Sequence, residues 1–280
     1  MGCASGARFF ACGCLAGMVI AMTADQVAAQ QRDAQQKVPD FSSNQTAWVA
    51  FGEVTALPGS PPLLRQDPAH PFVPNNTGRQ PTYRIADLTN PNLKPAAKAR
   101  MKRDNDEVLA GKIGFTARSS CQPAGVPGFD SFGGAQPYFF VQTPKEVLII
   151  FSGDEQVRHV YLDVPHSPNL RPSWYGESIG HYEDNTLVVD TVGLNDRTVV
   201  DNYRTPHSEK LHVVERWRIT DDGKTLEVAM RVEDPETYNE SWSAVRRYRR
   251  VQATMSEQVC AENNRNLFDY HIPVAETPDF

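Results

Sequence analysis

From Tyr138 to Val251 apolar and polar residues alternate in short runs, the period-two signature of half-buried strands. The alternation predicts strands over 138–142, 146–152, 157–162, 178–182, 186–192, 211–220, 225–233 and 242–251. Turn signals separate several of them: Thr143-Pro144-Lys145, Gly153-Asp154-Glu155, Asp222-Gly223 and Asp234-Pro235.

Trp174 to Val192 (WYGESIGHYEDNTLVVDTV) is the most definite stretch. It reads as a hairpin with its turn at Asp184-Asn185, since Asp and Asn tolerate the left-handed backbone of short turns. With Glu183 opposite Thr186, Tyr182 faces Leu187, His181 faces Val188, Ile179 faces Asp190 and Glu177 faces Val192. Tyr182, Gly180, Ser178, Leu187, Val189 and Thr191 then share one face. His181, Ile179, Glu177, Val188, Asp190 and Val192 share the other, a mixture of ionisable and aliphatic groups that suits a pocket wall or a core with a satisfied polar network.

Residues 46–92 are rich in Pro, Asn and Gly, and only short extended pieces fit there. Pro95 to Ala110 predicts a helix. Pro95 suits its first turn, Ala97, Met101, Val108 and Leu109 form a narrow apolar stripe interrupted at Asp104 and Asn105, and Gly111 closes it. Such a helix is expected to pack on the outside of a sheet. The strands that follow come in series, with short loops and no helix between them, which predicts an antiparallel meander. About eight strands close into a barrel that holds one small ligand. The fold expected is all-β: an antiparallel, lipocalin-like (calycin-type) barrel with a Pro/Gly-rich N-terminal extension and one short helix.

The N-terminus reads as a signal peptide over residues 1–29. Arg8 is its positive flank, Phe9 to Ala24 its apolar stretch and Val27-Ala28-Ala29 its cleavage site. Residues 30–112 then form the loop-rich extension. Residues 113–280 form the barrel domain, with Leu267, Phe268, Tyr270 and Ile272 docking a C-terminal tail. The expected location is periplasmic or secreted, without membrane insertion after signal removal. A net charge of −6 argues against nucleic acid or an anionic membrane as partner. Three of the five cysteines lie in the signal. Cys121 and Cys260 remain as an even pair in an exported chain, which predicts one disulfide.

The candidate chemistry centres on Glu215. Leu211, Val213, Glu215, Trp217 and Ile219 share the apolar face of their strand, opposite Leu226, Val228, Met230 and Val232. A carboxylate in that row has two solutions: neutral by desolvation and acting as a general acid, or ionised and paired. Arg246, on the same face as Trp242, Ala244 and Tyr248, is the candidate partner. His181 or His207 with Asp190 is the candidate base, because histidine titrates nearest neutral pH. Trp217, Tyr182, Trp242 and Tyr248, with Arg246, are candidate substrate-binding walls. His159, His166, His181, His207 and His212 cluster in the chain, but without HxH, HExxH or CxxC spacing, so no metal or other cofactor is assigned. Ser178 in GESIG mimics a nucleophile elbow, which needs a strand–turn–helix and not a hairpin. In RRYRR (246–250) alternation splits the basic residues between two faces.

The elements CQPAGVPG, QTPKEV, VRHVYLD, WYGESIGHYEDNTLVVDTVG, TPHSEKLHVVERW, VEDPETY and VCAENN together resemble an uncharacterised family of exported bacterial proteins. They span roughly the second half of the chain. The family's usual turn resembles Glu-Gly-Asp where this chain has Glu183-Asp184-Asn185. The resemblance implies export and one shared domain, and no catalytic assignment.

These features give three readings: a small apolar or aromatic ligand handled by a cofactor-independent acid–base enzyme (lyase, hydratase or isomerase), the same ligand bound without catalysis, or an envelope structural protein. Mass spectrometry of unreduced protein is expected to find a linked Cys121–Cys260 peptide. Full alkylation of both thiols without reductant would contradict the pairing.

Overall fold

The computed structural model describes Gly2 and residues 38–42, 45–73, 85–112, 121–128, 137–152, 156–220 and 223–257. Apart from Gly2 the signal segment, like Cys260 and the C-terminal tail, lies outside the described residues.

Among the described residues nine strands close into one barrel in sequence order: β1 (Thr46–Ala56), β2 (Tyr138–Gln142), β3 (Glu146–Phe151), β4 (Gln156–Leu162), β5 (Glu177–Glu183), β6 (Thr186–Val192), β7 (His212–Ile219), β8 (Thr225–Glu233) and β9 (Trp242–Gln252). Every strand expected from alternation is present, with ends within a residue or two. The β5–β6 hairpin has the register the turn chemistry predicts, Glu183↔Thr186 through Glu177↔Val192, with Asp184 at φ 51°.

Two features depart from the sequence expectation. The barrel is not wholly antiparallel: β4 and β5 run parallel, Val160 beside Ser178 and Leu162 beside Gly180. The intervening segment crosses over without a helix, so the meander is broken at this seam. The second departure is β1, which comes from the Pro/Gly-rich region expected to hold only short extended pieces. It pairs with β9 from Thr46↔Gln252 to Ala56↔Ala244 and meets β2 at Trp48↔Tyr138, closing the barrel. Its outer half is exposed and its alternation is masked by Gly52 and Glu53. The extension therefore contributes a stave.

Helix α1 (Pro95–Leu109) buries Ala97, Met101, Asn105 and Val108, while Leu109 is exposed. Asn105 does not interrupt the buried stripe. Its amide donates to the Ala86 carbonyl at 3.0 Å and its carbonyl accepts from the Ala86 N–H at 3.1 Å, so the side chain stands in for a strand partner. Ala97 and Met101 join one apolar cluster with Leu93, Leu211, Met230 and Trp242. A second cluster fills the rest of the lumen around Trp48, Phe140, Trp217 and Tyr248. Gln142 ties the 39–41 segment to this second end, its amide donating to Pro39 O at 3.0 Å and its carbonyl accepting from Phe41 N at 2.8 Å.

Gly180 lies at the parallel seam. A Cβ there would meet Val160 Cγ1 at 2.8 Å and the Val188 carbonyl at 3.0 Å. Gly180→Ala is expected to destabilise by about 1–3 kcal/mol through overpacking, measured by urea denaturation. An unchanged midpoint would contradict the parallel β4–β5 packing.

Candidate functional site

The two apolar clusters are separated by charge. On β7, Val213 belongs to one cluster and Trp217 to the other, and Glu215 stands between them with no solvent exposure. Its burial follows the expected alternation. Its partner does not: the carboxylate is held by Arg158 of β4. Arg158 Nη1 donates to Glu215 Oε1 at 3.1 Å, and Nη2 donates to Oε2. Arg158 Nη2 also reaches Thr191 Oγ1 at 2.9 Å and Nε reaches Ser178 Oγ at 3.1 Å, while the two hydroxyls bond each other at 2.9 Å. This is a bidentate, closed network in which both charges are fully buried. The carboxylate is engaged on both oxygens by Arg158, which takes the place of the expected Arg246 partner.

The alternation β4 shows could have revealed Arg158. Arg158, Val160 and Leu162 are buried, whereas Val157, His159 and Tyr161 are exposed. The register also explains why Arg246 misses. Glu215 pairs with Met230 and Met230 with Ala244, so Arg246 sits one inward step further along β9.

The other proposed acid–base groups do not converge on Glu215. His181 is on the outer face, its Nε2 donating to Glu183 at 3.0 Å beside the Arg216–Glu183 pair. Asp190 is also outside, accepting from His166 Nε2 at 2.9 Å and His212 Nε2 at 3.1 Å. The His212 hydrogen bond is the main reason its carboxyl pKa is lowered. His207 is buried in the 194–211 loop. Its Nδ1 donates to Ser208 O at 3.0 Å, which leaves Nε2 to accept from Thr198 Oγ1 at 2.7 Å. Burial pushes its pKa down, against that Ser208 bond and the Asp234 charge. His207 is therefore a neutral loop fastener. The hairpin face carrying His181 and Asp190 is on the barrel's exterior, where Glu177 of the same face lines a surface hollow.

The proposed binding walls divide. Trp217 and Tyr248 stack at 6.2 Å inside the packed lumen. Tyr182 accepts from Gln142 Nε2 at 2.9 Å at the same end. Trp242 and Arg246 line a cavity.

That cavity, of about 550 Å³, lies between the barrel mouth and the loops that cover it. Leu63, Leu64, Leu93, Tyr203, Tyr238 and Trp242 supply apolar wall, and Arg246 supplies a cation. Tyr238 and Trp242 meet edge to face at 6.1 Å. Burial, and then the Asp201 charge, push the Tyr238 hydroxyl well above the usual phenol range, so it stays a proton donor. Asp201 builds the adjoining loop: its carboxylate accepts from Thr205 Oγ1 at 2.7 Å and Tyr203 N at 2.8 Å. Burial holds its pKa above the ordinary value against those bonds. Sequence pattern did not single out Leu63, Leu64, Tyr203 or Tyr238, because they sit on aperiodic loops. A second hollow, of about 600 Å³, lies outside the barrel against Val157, Tyr161 and Leu170. It is an open surface depression.

Comparison with protein-family models, with curated proteins and with solved structures gave no match.

Glu215→Gln keeps the shape and strands the Arg158 charge, so a loss of about 3–5 kcal/mol is expected in chemical denaturation. Replacing both Arg158 and Glu215 by Met is expected to recover most of it. A Glu215→Gln protein as stable as wild type would mean the buried pair is not formed.

Proposed function

We propose that this protein binds a small, largely apolar or aromatic molecule in the cavity at the barrel mouth, without transforming it. The observation that carries the reading is the cavity itself. Its volume and its aliphatic and aromatic walls, interrupted by a few polar groups, suit a small organic ligand. Binding is favoured over acid–base catalysis because Glu215 is engaged by Arg158, while His181 and Asp190 lie outside the barrel and His207 is tied into a loop. A purely structural role leaves the cavity unexplained.

The closed, mostly antiparallel barrel with a cavity at its mouth supports a lipocalin-like reading. The likeness stops at the parallel β4–β5 seam and at the filled lumen. The signal-like N-terminus supports a periplasmic or secreted binding protein.

Native mass spectrometry of the protein against a library of small aromatic and alicyclic compounds tests the reading. Leu63→Trp fills the cavity without changing its charge. Compounds retained by wild type are expected to lose at least about tenfold in affinity to this variant. Equal retention by both proteins would place the ligand elsewhere.

A further inference from the structure

Among the described residues three arginines are buried: Arg204, on a loop beside Asp104, and Arg158 and Arg246, on barrel strands. The surroundings of the two strand arginines differ. Arg158 has a carboxylate and two hydroxyls around it. Arg246 is only 6 % exposed, yet it has no acidic partner among the described residues. Its Nη1 donates to the Gly52 carbonyl at 2.6 Å, and its Nε has no acceptor there. A guanidinium carries five donors and stays charged in a protein. Leaving such a cation buried and incompletely bonded is costly, and buried charges are normally paired.

The local structure holds this arginine at the cavity. The β1–β9 ladder shifts register between Phe51 and Thr55. Gly52 lies in that irregularity at φ 64°, a conformation glycine adopts readily, and its carbonyl turns to Arg246 instead of pairing along the ladder. One donor is thereby anchored, and the group lines the cavity beside Trp242 and Tyr238.

We infer that Arg246 reads a carboxylate on the ligand, so the ligand class is an aromatic or alicyclic monocarboxylic acid. This rests on the cavity being the binding site. The flat apolar body would lie against Trp242, Tyr203 and the leucines, and the carboxylate would meet the fork of Arg246, the geometry a guanidinium matches best. The rest of the lining favours a single negative charge. Arg65 is already paired with Asp87 at 3.0 Å, and Glu53 and Asp201 also line the cavity, so among the described residues a dianionic phosphate would meet one cation without an acidic partner and two acidic groups.

Calorimetric titration of the full-length protein with naphthoate, its neutral isostere naphthamide, and naphthyl phosphate tests this. Wild type is expected to bind naphthoate at least about tenfold more tightly than naphthamide, the range of a charge-assisted hydrogen bond. Arg246→Gln is expected to bring the ratio close to one, and Arg246→Lys to an intermediate value. If Arg246→Gln does not fold, the wild-type ratio and the Arg246→Lys ratio decide. Equal binding of acid and amide by wild type overturns the inference and leaves the cavity reading standing. So does a preference that survives Arg246→Gln. Tighter binding of naphthyl phosphate than of naphthoate overturns the carboxylate class. Failure of all three probes to bind overturns the cavity reading and the inference with it.

Discussion

A guanidinium and a carboxylate meet in the middle of this barrel, where solvent reaches neither. Arg158 comes from β4 and Glu215 from β7, and Ser178 of β5 and Thr191 of β6 complete the set. Four consecutive staves therefore share one polar network. Desolvating two ions is expensive, and only near-complete hydrogen bonding offsets the cost. The network makes those four strands mutually dependent, and it spans the β4–β5 pair, which runs parallel over only three registered residue pairs. It also divides the interior into two apolar clusters, one sealed by aromatic side chains and one opening toward the loops.

The same energetic rule acts differently at Arg246. There the protein supplies one carbonyl, at an irregularity in β1, and a wall of apolar side chains. Among the described residues the buried cation at Arg158 is saturated by protein groups, whereas the one at Arg246 keeps an unbonded Nε. The lumen near Arg158 is packed, whereas the mouth is covered by irregular loops held by Asp201 and by Asp234, which accepts from Ser208 N at 2.6 Å.

The outer face repeats the theme in water. Asp190 gathers His166 of the crossover and His212 of β7, and His166 Nδ1 reaches Glu177 of β5 at 3.0 Å. These half-exposed contacts are screened by solvent and individually weak. Their geometric effect is to pin the crossover segment against the strands it connects.

The sequence by itself determined the strands from Tyr138 onward, the hairpin register at Asp184-Asn185, the inward row Val213-Glu215-Trp217, and the face shared by Trp242, Ala244, Arg246 and Tyr248. All of these follow from a period of two and from turn chemistry, which are local properties of the chain. Tertiary structure alone decided the rest. Glu215 is bonded to a residue 57 positions away, and the choice between Arg158 and Arg246 depends on the stagger of strands around a closed barrel. The direction of β5 relative to β4 depends on the path of a loop that carries no periodicity. The cavity belongs to segments distant in sequence, Gly52, Leu63, Leu93, Tyr203 and Tyr238, which have no common pattern because proximity, and not alternation, brings them together.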